Sequence, residues 1–440
     1  MLKILIGLFI LNFSCKSPSQ ETDKNKLDLL LNALETNQLA NGSMALSRNG
    51  HIEYQKELGF AFKSLHKKTL TTPETRYRIG SVSKMFTATI IFQLVEEKKL
   101  RLDDNLAEFI PDIPNARSIT IETLLRHRSG LANYTDEPEF NNWKYKSKPL
   151  AELLQSISNT TPKFTPGSKA DYSNTNFVLL SYIIEKVCKK PFQEVVTERI
   201  LSKINVKNTY FECASDSGLK NCKSYKYLNS EWIQQTETVA SNHLGAGALV
   251  STATDLVTFA DALFTHKLLT PQSLQLMTSF QDDYGMGLFK ISYNNIDTAW
   301  GHEGRIDEFY TSLIHYPKDN ITIAYCTNGI LYPRDDIMRK VSNICLNNPT
   351  TIPGFEFFST SAQQLNQLAG KYSSMQISVD CKPHGDKLIV TTQGQDFDTQ
   401  LLDKNYFANL QFGYFFEFIP TKNQLIIKET DNNYLLNKKK

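Results

Sequence analysis

The chain has 440 residues, of which 41% are hydrophobic and 21% charged. This composition is typical of a globular protein that buries a full core. Lys and Arg total 48 against 46 for Asp and Glu, which gives a formal net charge of +2. The near-balance, with no basic stripe along the chain, excludes nucleic acid as an electrostatically favoured partner.

The first residues indicate export. Lys3 precedes an apolar run from Ile4 to Leu11, which is too short to span a bilayer as a stable anchor. The small residue Ser14 followed by Cys15 resembles a bacterial lipoprotein processing site, although the two residues before Ser14 depart from the usual pattern. We expect a periplasmic or cell-surface lipoprotein of a bacterium, held to the membrane by a lipid on Cys15. Ordinary signal cleavage and an uncleaved anchor are the alternatives.

The predicted elements change in type along the chain. Two short strands, 43–47 and 51–55, flank an Asn-Gly pair and predict a hairpin. Helical spacing of apolar residues predicts helices over 27–39, 81–100, 119–125, 150–157, 176–187, 192–201 and 249–264. The last of these is expected to start near a cap at Ser251 or Thr252, with Asp255 in its first turn. Strands return at 298–302, 309–315 and 321–326. This order predicts an α+β domain whose antiparallel sheet is completed by both ends of the region.

A Pro-, Asn- and Gly-rich stretch from Asn347 to Gly354 marks a domain boundary. Beyond it, alternating short strands such as 387–392 and 424–428 predict a small antiparallel β domain resembling a barrel. The predicted organisation is a signal peptide over 1–15, a polar tether over 16–26, a main domain over 27–348, a linker over 349–365 and the β domain over 366–440.

The cysteines do not form a metal-binding pattern. The seven cysteines include no C-x-x-C pair and no Cys/His cluster at metal-ligand spacing, so we expect no metal and no other cofactor. Export would permit disulfides, and Cys213 with Cys222 is the most plausible short-loop pair. Buried free thiols are the alternative, which we favour for Cys188 and Cys326 because both lie inside apolar runs.

A Ser-x-x-Lys spacing occurs three times, at Ser64, Ser81 and Ser217. Only Ser81 opens a long predicted helix, whereas the other two lie in polar or turn-like stretches. Residues three apart share a helix face, so the amine of Lys84 would lie close to the Ser81 hydroxyl. Burial would lower the pKa of Lys84 and let the neutral amine act as a base. Ser81 is therefore the candidate nucleophile, and a plain helix N-cap is the alternative role.

A Tyr-x-Asn spacing also occurs three times, and only Tyr172 lies at a rigid junction between a Pro-Gly turn and a predicted helix. A tyrosine near a lysine can have a lowered pKa and relay protons. The amide of Asn174 can orient a carbonyl or amide of a substrate. A packed core tyrosine is the alternative for Tyr172.

Five motifs occur together in one order along the chain. They are Arg78-Ile-Gly-Ser-Val-Ser-Lys84, Leu124 to Leu131, Tyr172-Ser-Asn174, Leu244 to Leu256 and Gly301-His-Glu-Gly304. Together they resemble the serine β-lactamase-related family, which includes class C β-lactamases, DD-peptidases and related esterases. The resemblance covers roughly residues 40 to 345 and implies an antiparallel sheet flanked by helices, with a helical subdomain. The tail from about 366 resembles the lipocalin-like β domain often attached to such enzymes.

The resemblance implies a role for each matched residue. Ser81 would be the acylated nucleophile of a hydrolase acting on an ester, amide or peptide bond. Lys84 would be its base, and Tyr172 the second acid/base. Asn174 would contact the substrate, which we expect to be a small molecule or a peptide.

The third motif departs from the family pattern. His302 is a candidate catalytic residue, because the resemblance places it where the lactamases have Lys; a hydrogen-bonded sheet histidine is the alternative. Glu303 stands where a hydroxyl residue helps to bind a substrate carboxylate, and its negative charge should oppose that carboxylate. Gly304 and Arg305 complete the candidate substrate-binding residues, and the N–H of Arg305 would form an oxyanion hole with that of Ser81. We therefore expect an ester, amide or peptide substrate rather than efficient β-lactam hydrolysis.

Two functions of different classes fit the motifs. The first is an exported serine hydrolase. The second is a non-catalytic binder or sensor of peptidoglycan-like or acyl ligands, with Glu303 marking lost chemistry. The intact Ser81, Lys84 and Tyr172 favour the hydrolase, because a binder has no physical need for a base beside the serine.

Overall fold

The computed structural model describes residues 21–212 and 221–439. The predicted signal peptide, with Cys15, and the first part of the predicted tether lie outside these residues. Within the two described ranges, no helix is both long enough and apolar enough to cross a membrane.

The helices form at most of the predicted positions. Asp23 caps the first helix by accepting from the Lys26 N–H at 3.1 Å, so this helix begins inside the predicted tether. The predicted helix over 249–264 begins at Ala253 with Thr252 as its cap, which confirms one of the two predicted cap positions, and residues 249–251 before it pair as a strand. The α-helices are α1 (Lys24–Thr36), α2 (Ser83–Glu96), α3 (Ile121–Leu125), α4 (Phe140–Trp143), α5 (Leu150–Ser158), α6 (Asn174–Cys188), α7 (Phe192–Val196), α8 (Ser202–Ile204), α9 (Ala253–Phe264), α10 (Pro271–Met277), α11 (Arg334–Cys345) and α12 (Ala362–Leu368).

Within the described residues, the strands form one six-stranded sheet, one barrel, one three-stranded sheet and two pairs of strands. They are β1 (Ala40–Arg48), β2 (His51–Leu58), β3 (Phe60–Lys63), β4 (Lys68–Leu70), β5 (Tyr77–Arg78), β6 (Tyr210–Phe211), β7 (Tyr225–Leu228), β8 (Glu231–Gln234), β9 (Leu249–Ser251), β10 (Phe289–Ile291), β11 (Ala299–Ile306), β12 (Phe309–Tyr316), β13 (Ile321–Ile330), β14 (Gly370–Ser373), β15 (Ser378–His384), β16 (Lys387–Thr392), β17 (Gln395–Asp403), β18 (Tyr406–Asn409), β19 (Tyr414–Ile419), β20 (Gln424–Lys428) and β21 (Asn433–Lys438).

The large sheet of the described chain has six antiparallel strands in the order β10-β11-β12-β13-β1-β2. Because β1 pairs with β13, both ends of the domain complete one sheet, which confirms the predicted α+β class. The predicted hairpin joins β1 to β2 through Asn49 and Gly50, whose φ angles are +54° and +77°. A two-residue turn of this hand needs positive φ at both central positions, and Asn followed by Gly supplies them.

Both faces of the sheet are covered by helices. Apolar side chains of α1 and α11 pack on one face, whereas α9 and the helices around α2 and α6 lie on the other. The sequence predicts α2 as an amphipathic helix, but residues 83–94 are all buried. Its polar side chains bond instead to distant carbonyls, since Thr87 donates to Gly245 and Gln93 to Leu268. The helix that follows Ser81 therefore runs through the dry interior of the domain.

The C-terminal strands β14 to β21 close into an eight-stranded antiparallel barrel, in which β14 pairs with β21. The barrel confirms the predicted small β domain, and its up-and-down order is that of lipocalin-like barrels. Apolar side chains such as Phe407, Phe416 and Leu425 fill its interior. Helix α12 precedes it and spans the predicted junction between the linker and the β domain.

A buried charge cluster fixes the barrel to the start of α11. Asp336 accepts from the Lys428 ammonium at 2.7 Å and from the Tyr406 hydroxyl at 2.5 Å. Burial by itself would raise the pKa of Asp336, but the cations Lys428 and Arg339 hold it below the usual range. This cluster lies beside an apolar contact between the two domains, in which Leu402, Ala408 and Phe415 of the barrel pack into the core of the large domain.

Replacing Asp336 with Ala is expected to lower the free energy of unfolding by about 2–3 kcal/mol, because the buried Lys428 ammonium then keeps only the half-exposed Glu417 as its counter-ion. Urea unfolding measures this loss. The control is Asp398→Ala, which removes an exposed pair with Lys387 and should cost less than about 1 kcal/mol. Equal losses in the two variants would contradict the assigned role of the cluster.

The cysteines differ from one sequence expectation. Cys222 is a free, buried thiol whose Sγ donates to the carbonyl of Arg76 at 3.0 Å. The predicted disulfide to Cys213 is therefore wrong, and Cys213 itself lies outside the described residues. Cys188 and Cys326 are free thiols, as favoured from their apolar surroundings.

Candidate active site

Ser81 lies in a 3₁₀ turn that leads into α2. Strand β11 approaches this turn so closely that both sides need glycine. A Cβ atom on Gly304 would lie 2.0 Å from the Ile79 carbonyl oxygen, and one on Gly80 would lie 2.9 Å from the backbone of Arg305. The positive φ of Gly80, +49°, adds a second reason for glycine there. The Ser81 turn and the backbone of β11 therefore form one continuous surface.

Lys84 is fully buried, and its Nζ lies 2.9 Å from the Ser81 Oγ. The same nitrogen lies 2.8 Å from Asn174 Oδ1 and 2.7 Å from the carbonyl oxygen of Ala246. Burial lowers the pKa of Lys84 well below its usual value. A neutral amine has two N–H donors and one lone pair, and the two amide oxygens take both donors. The lone pair then faces the Ser81 hydroxyl, which is the geometry of a base.

Tyr172 is the second residue that is hydrogen-bonded to Ser81, since its hydroxyl donates to the Ser81 Oγ at 2.7 Å. The sequence predicts a pKa lowered by lysine, but burial raises the pKa of Tyr172 and outweighs the hydrogen bond to Ser81. The Lys84 Nζ lies over the face of the tyrosine ring, 5.0 Å from its centroid, rather than beside the hydroxyl. The phenol therefore stays protonated at neutral pH and is placed to donate a proton.

Asn174 begins α6 and lines the cavity beside Ser81. Its Nδ2 donates to the Thr135 Oγ1 at 3.1 Å, which turns Oδ1 towards Lys84. The predicted substrate contact thus has a further task, since this amide fixes the position of the Lys84 amine.

His302 projects from β11 towards the rings of Phe289 and Tyr172, with centroids 4.7 Å and 6.3 Å away. Its Nδ1 lies 2.5 Å from the carbonyl oxygen of Glu303, which can only accept, so Nδ1 carries the proton. Burial, together with the nearby Lys84, lowers the pKa of His302 to about 3. The ring is neutral at physiological pH, and its buried Nε2 is a free acceptor among the described residues.

Glu303 does not face the nucleophile. Side chains alternate along a strand, so Glu303 and His302 point to opposite faces of β11. The Glu303 carboxylate accepts from the Tyr293 hydroxyl at 2.5 Å and from the Arg334 guanidinium at 2.6 Å. It does not line the cavity over Ser81. The structure thus places the Glu303 carboxylate on the far side of the strand from Ser81, where Arg334 compensates its charge.

Arg305 also directs its side chain away from the nucleophile. Its guanidinium pairs with Asp431 of the barrel at 3.0 Å. The backbone of Arg305, in contrast, lies against Gly80 in the Ser81 turn. Only the main chain of Arg305 is thus placed for the predicted oxyanion hole.

A cavity of about 680 Å³ opens over Ser81. Its wall carries three carboxylates, of which Asp307 is held by Arg78 at 3.1 Å, whereas Asp136 and Glu308 lie nearer solvent. The residues that line it are Gly80, Ser81, Thr135, Asp136, Phe140, Asn141, Lys144, Tyr145, Asn174, Gln235, Thr236, Thr238, His243, Ala246, Gly247, Arg305, Ile306, Asp307 and Glu308. The site is therefore an open, polar cleft rather than an apolar pocket.

Three contributors to this site have no assigned role in the sequence predictions. The Ala246 carbonyl lies inside a recognised motif, but a backbone oxygen leaves no signature in the residue type. Thr135 follows another motif by a few residues, and its hydroxyl orients Asn174. Arg334 has no sequence signal at all, because its partner Glu303 is distant along the chain.

The sheet, its helices and the Ser-Lys-Tyr arrangement place the protein in the class of β-lactamase-related hydrolases. A family model described as "Beta-lactamase" matches residues 28–342. The chain belongs to the beta-lactamase family.

Curated and solved relatives agree with this membership. A teichoic acid D-alanine hydrolase from Staphylococcus aureus is 24% identical over 343 residues, covering 71% of this chain and 82% of the relative. A penicillin binding protein from Bacillus halodurans has 25% identity and a TM-score of 0.64, covering 72% of this chain and 98% of its own. A D-amino acid amidase from Ochrobactrum anthropi SV3 has 23% identity and a TM-score of 0.66, covering 73% and 99%.

The similarity in fold extends beyond the family domain. A penicillin-binding protein homologue from Pyrococcus abyssi has 20% identity and a TM-score of 0.67, and it covers 94% of this chain and 99% of its own. At this identity the match shows the fold alone. It indicates that the large domain followed by the C-terminal barrel is an arrangement that the two chains share.

Proposed function

We propose that the protein is an exported serine hydrolase that works through an acyl-enzyme at Ser81. The observation that carries this proposal is that two buried groups contact the Ser81 hydroxyl. The Lys84 Nζ lies 2.9 Å from the Ser81 Oγ, and the Tyr172 hydroxyl lies 2.7 Å from it. One of these groups has a lowered pKa and the other a raised pKa. Groups whose pKa values are moved apart in this way are suited to base and acid roles on one reaction.

In the first half of the reaction, Lys84 takes the proton of the Ser81 hydroxyl as Oγ attacks the carbonyl carbon. The N–H groups of Ser81 and Arg305 stabilise the oxyanion that forms. Tyr172 then protonates the leaving oxygen or nitrogen as its bond to the acyl carbon breaks, and the Lys84 proton returns to the phenolate. Water hydrolyses the ester on Ser81 in the second half, with the proton transfers in reverse order.

A D-aminoacyl ester or amide is the substrate class that we propose. Two relatives are named for D-alanine and D-amino acid groups, each of which carries an α-ammonium when its amine is free. Asp136 lines the same cavity as Asn174, and its exposed carboxylate, whose pair with the Lys163 ammonium is loose at 3.7 Å, would attract such an ammonium. Neither a lysine nor a hydroxyl residue occupies the third motif, where lactamases bind the substrate carboxylate. We therefore infer that β-lactams are poor substrates.

Hydrolysis rates on matched substrates test this proposal, with the Ser81→Ala protein as the blank. The D-alanyl ester of a simple alcohol should be hydrolysed about tenfold or more faster than its L enantiomer and a chromogenic cephalosporin. Acetylating the amine should raise KM several-fold in the wild type but change little in Asp136→Asn, because that variant lacks the charge. Cephalosporin turnover as fast as that of the D-alanyl ester would contradict the substrate class. No turnover or labelling of any kind would favour the binder.

Export and lipid attachment are part of the same proposal. They rest on the apolar run after Lys3 and on Cys15. We expect the native protein in the membrane fraction with a diacylglycerol-sized mass addition on Cys15. An unmodified protein with residues 1–15 intact would contradict this part and leave the proposed hydrolysis untouched.

A further inference from the structure

The loop that joins β20 to β21, residues 429–432, reaches the back of the catalytic strand β11. Asp431 in this loop accepts from the Arg305 Nη1 with both carboxylate oxygens, at 3.0 Å and 3.2 Å. The Thr430 carbonyl oxygen accepts from the backbone N–H of Arg334 at 2.9 Å. The barrel thus contacts the large domain at the strand that faces Ser81 as well as at the buried Asp336 cluster.

Glu303, on the other side of Gly304 from Arg305, is also connected to this loop. Glu303 is bound to the guanidinium of Arg334, a residue only 5% exposed whose main chain is held by Thr430. Both charged side chains that flank Gly304 are therefore connected to one loop of the barrel. Arg305 contacts the loop directly, and Glu303 is connected to it through Arg334.

The front of the same strand segment meets the nucleophile. Gly304 lies against the Ile79 carbonyl and the Ser81 nitrogen, and Arg305 lies against Gly80. A shift of β11 towards or away from this turn would move the Arg305 N–H relative to the position of the oxyanion. A displacement of a fraction of an ångström between such a donor and the oxyanion is enough to slow an enzyme.

We propose that the C-terminal barrel positions the oxyanion hole, with Asp431 acting through Arg305 as a positioning residue. This inference rests on the proposed function, since it needs the Arg305 N–H as an oxyanion donor. The Arg305 side chain is 51% exposed, so its pair with Asp431 adds little to the free energy of unfolding. The effect of the pair is therefore on rate rather than on stability.

The test compares Asp431→Ala with Asn433→Ala in the full-length protein. Asn433 belongs to the same hairpin but bonds to Asp335 and not to β11. In Asp431→Ala, kcat and the rate of labelling by a serine-directed phosphonate should fall about threefold to fivefold, with KM within about twofold and Tm within about 2 °C of wild type. Asn433→Ala should keep the wild-type kcat.

A double-mutant cycle separates a positioning role from general damage. Arg305→Met keeps the backbone N–H but removes the guanidinium, so Asp431→Ala/Arg305→Met should lose no more rate than either single variant. Additive losses would overturn the inference, as would a wild-type kcat in Asp431→Ala or an equal loss in Asn433→Ala. In all three cases Ser81 of the wild type would still be labelled. A wild type that resists labelling would instead reject the proposed function itself.

Discussion

The Ser81→Ala protein is expected to hydrolyse D-aminoacyl esters no faster than a solution without enzyme. The Ser81 Oγ is the attacking atom of the proposed reaction. Among the described residues, no other hydroxyl is hydrogen-bonded to both Lys84 and Tyr172. The fall in kcat/KM should be at least about 10⁴-fold, since a nucleophile and its base act as one unit. Initial rates on the D-alanyl ester, corrected for spontaneous hydrolysis, measure it.

A matched control for this variant exists within the chain. Ser64 has the same Ser-x-x-Lys spacing, but its Oγ accepts from the N–H of Lys67 in an exposed turn. Ser64→Ala should therefore keep the wild-type rate. Turnover in Ser81→Ala above about a thousandth of the wild-type rate would point to another nucleophile.

Replacing Lys84 with Met should lower kcat about 10³-fold to 10⁴-fold, because the side chain keeps its length but loses the lone pair that accepts the serine proton. Lys84→Arg should not rescue the rate, since a guanidinium stays charged and has no acceptor. Both variants should still bind substrate, so KM changes less than kcat. A Lys84→Met protein with more than about a tenth of the wild-type kcat would contradict the assignment of the base.

The lowered pKa of Lys84 also predicts how activity and stability depend on pH. Activity should rise with pH through this lowered pKa, because only the neutral amine is a base. At pH values between this lowered pKa and about 10.4, Lys84 is protonated in the unfolded chain but neutral in the folded chain. The free energy of unfolding gains a positive slope of up to about 1.4 kcal/mol per pH unit in that window. Denaturant unfolding should show this contribution in the wild type and not in Lys84→Met, and parallel pH curves would refute it.

Much of the fold follows from local sequence rules. The Asn49-Gly50 pair fixes the β1–β2 hairpin because its backbone conformation is local. The caps at Thr252 and Asp23 are local as well, but each places the helix start a few residues away from where apolar spacing alone puts it. Helix α2 shows where the rule stops. Its burial on all sides depends on carbonyls of Gly245 and Leu268, which periodicity does not reveal.

The site divides in the same way. Ser81, Lys84, Tyr172 and Asn174 meet as their motifs predict, since each motif carries its own side chain to the cleft. Glu303 does not, because motif position says nothing about which face of a strand a side chain takes. Its partner Arg334 lies on α11, so only the tertiary structure shows that the charge is compensated.

The most direct measurement of the central claim is the intact mass of the protein after treatment with a serine-directed phosphonate, followed by peptide mapping. The account predicts one added phosphonyl group per chain, located on the peptide that contains Ser81. Ser81→Ala should acquire none, while Ser64→Ala is labelled like the wild type. A folded wild-type protein that acquires no adduct, or one whose adduct lies on another residue, would contradict the assignment of Ser81 as the nucleophile.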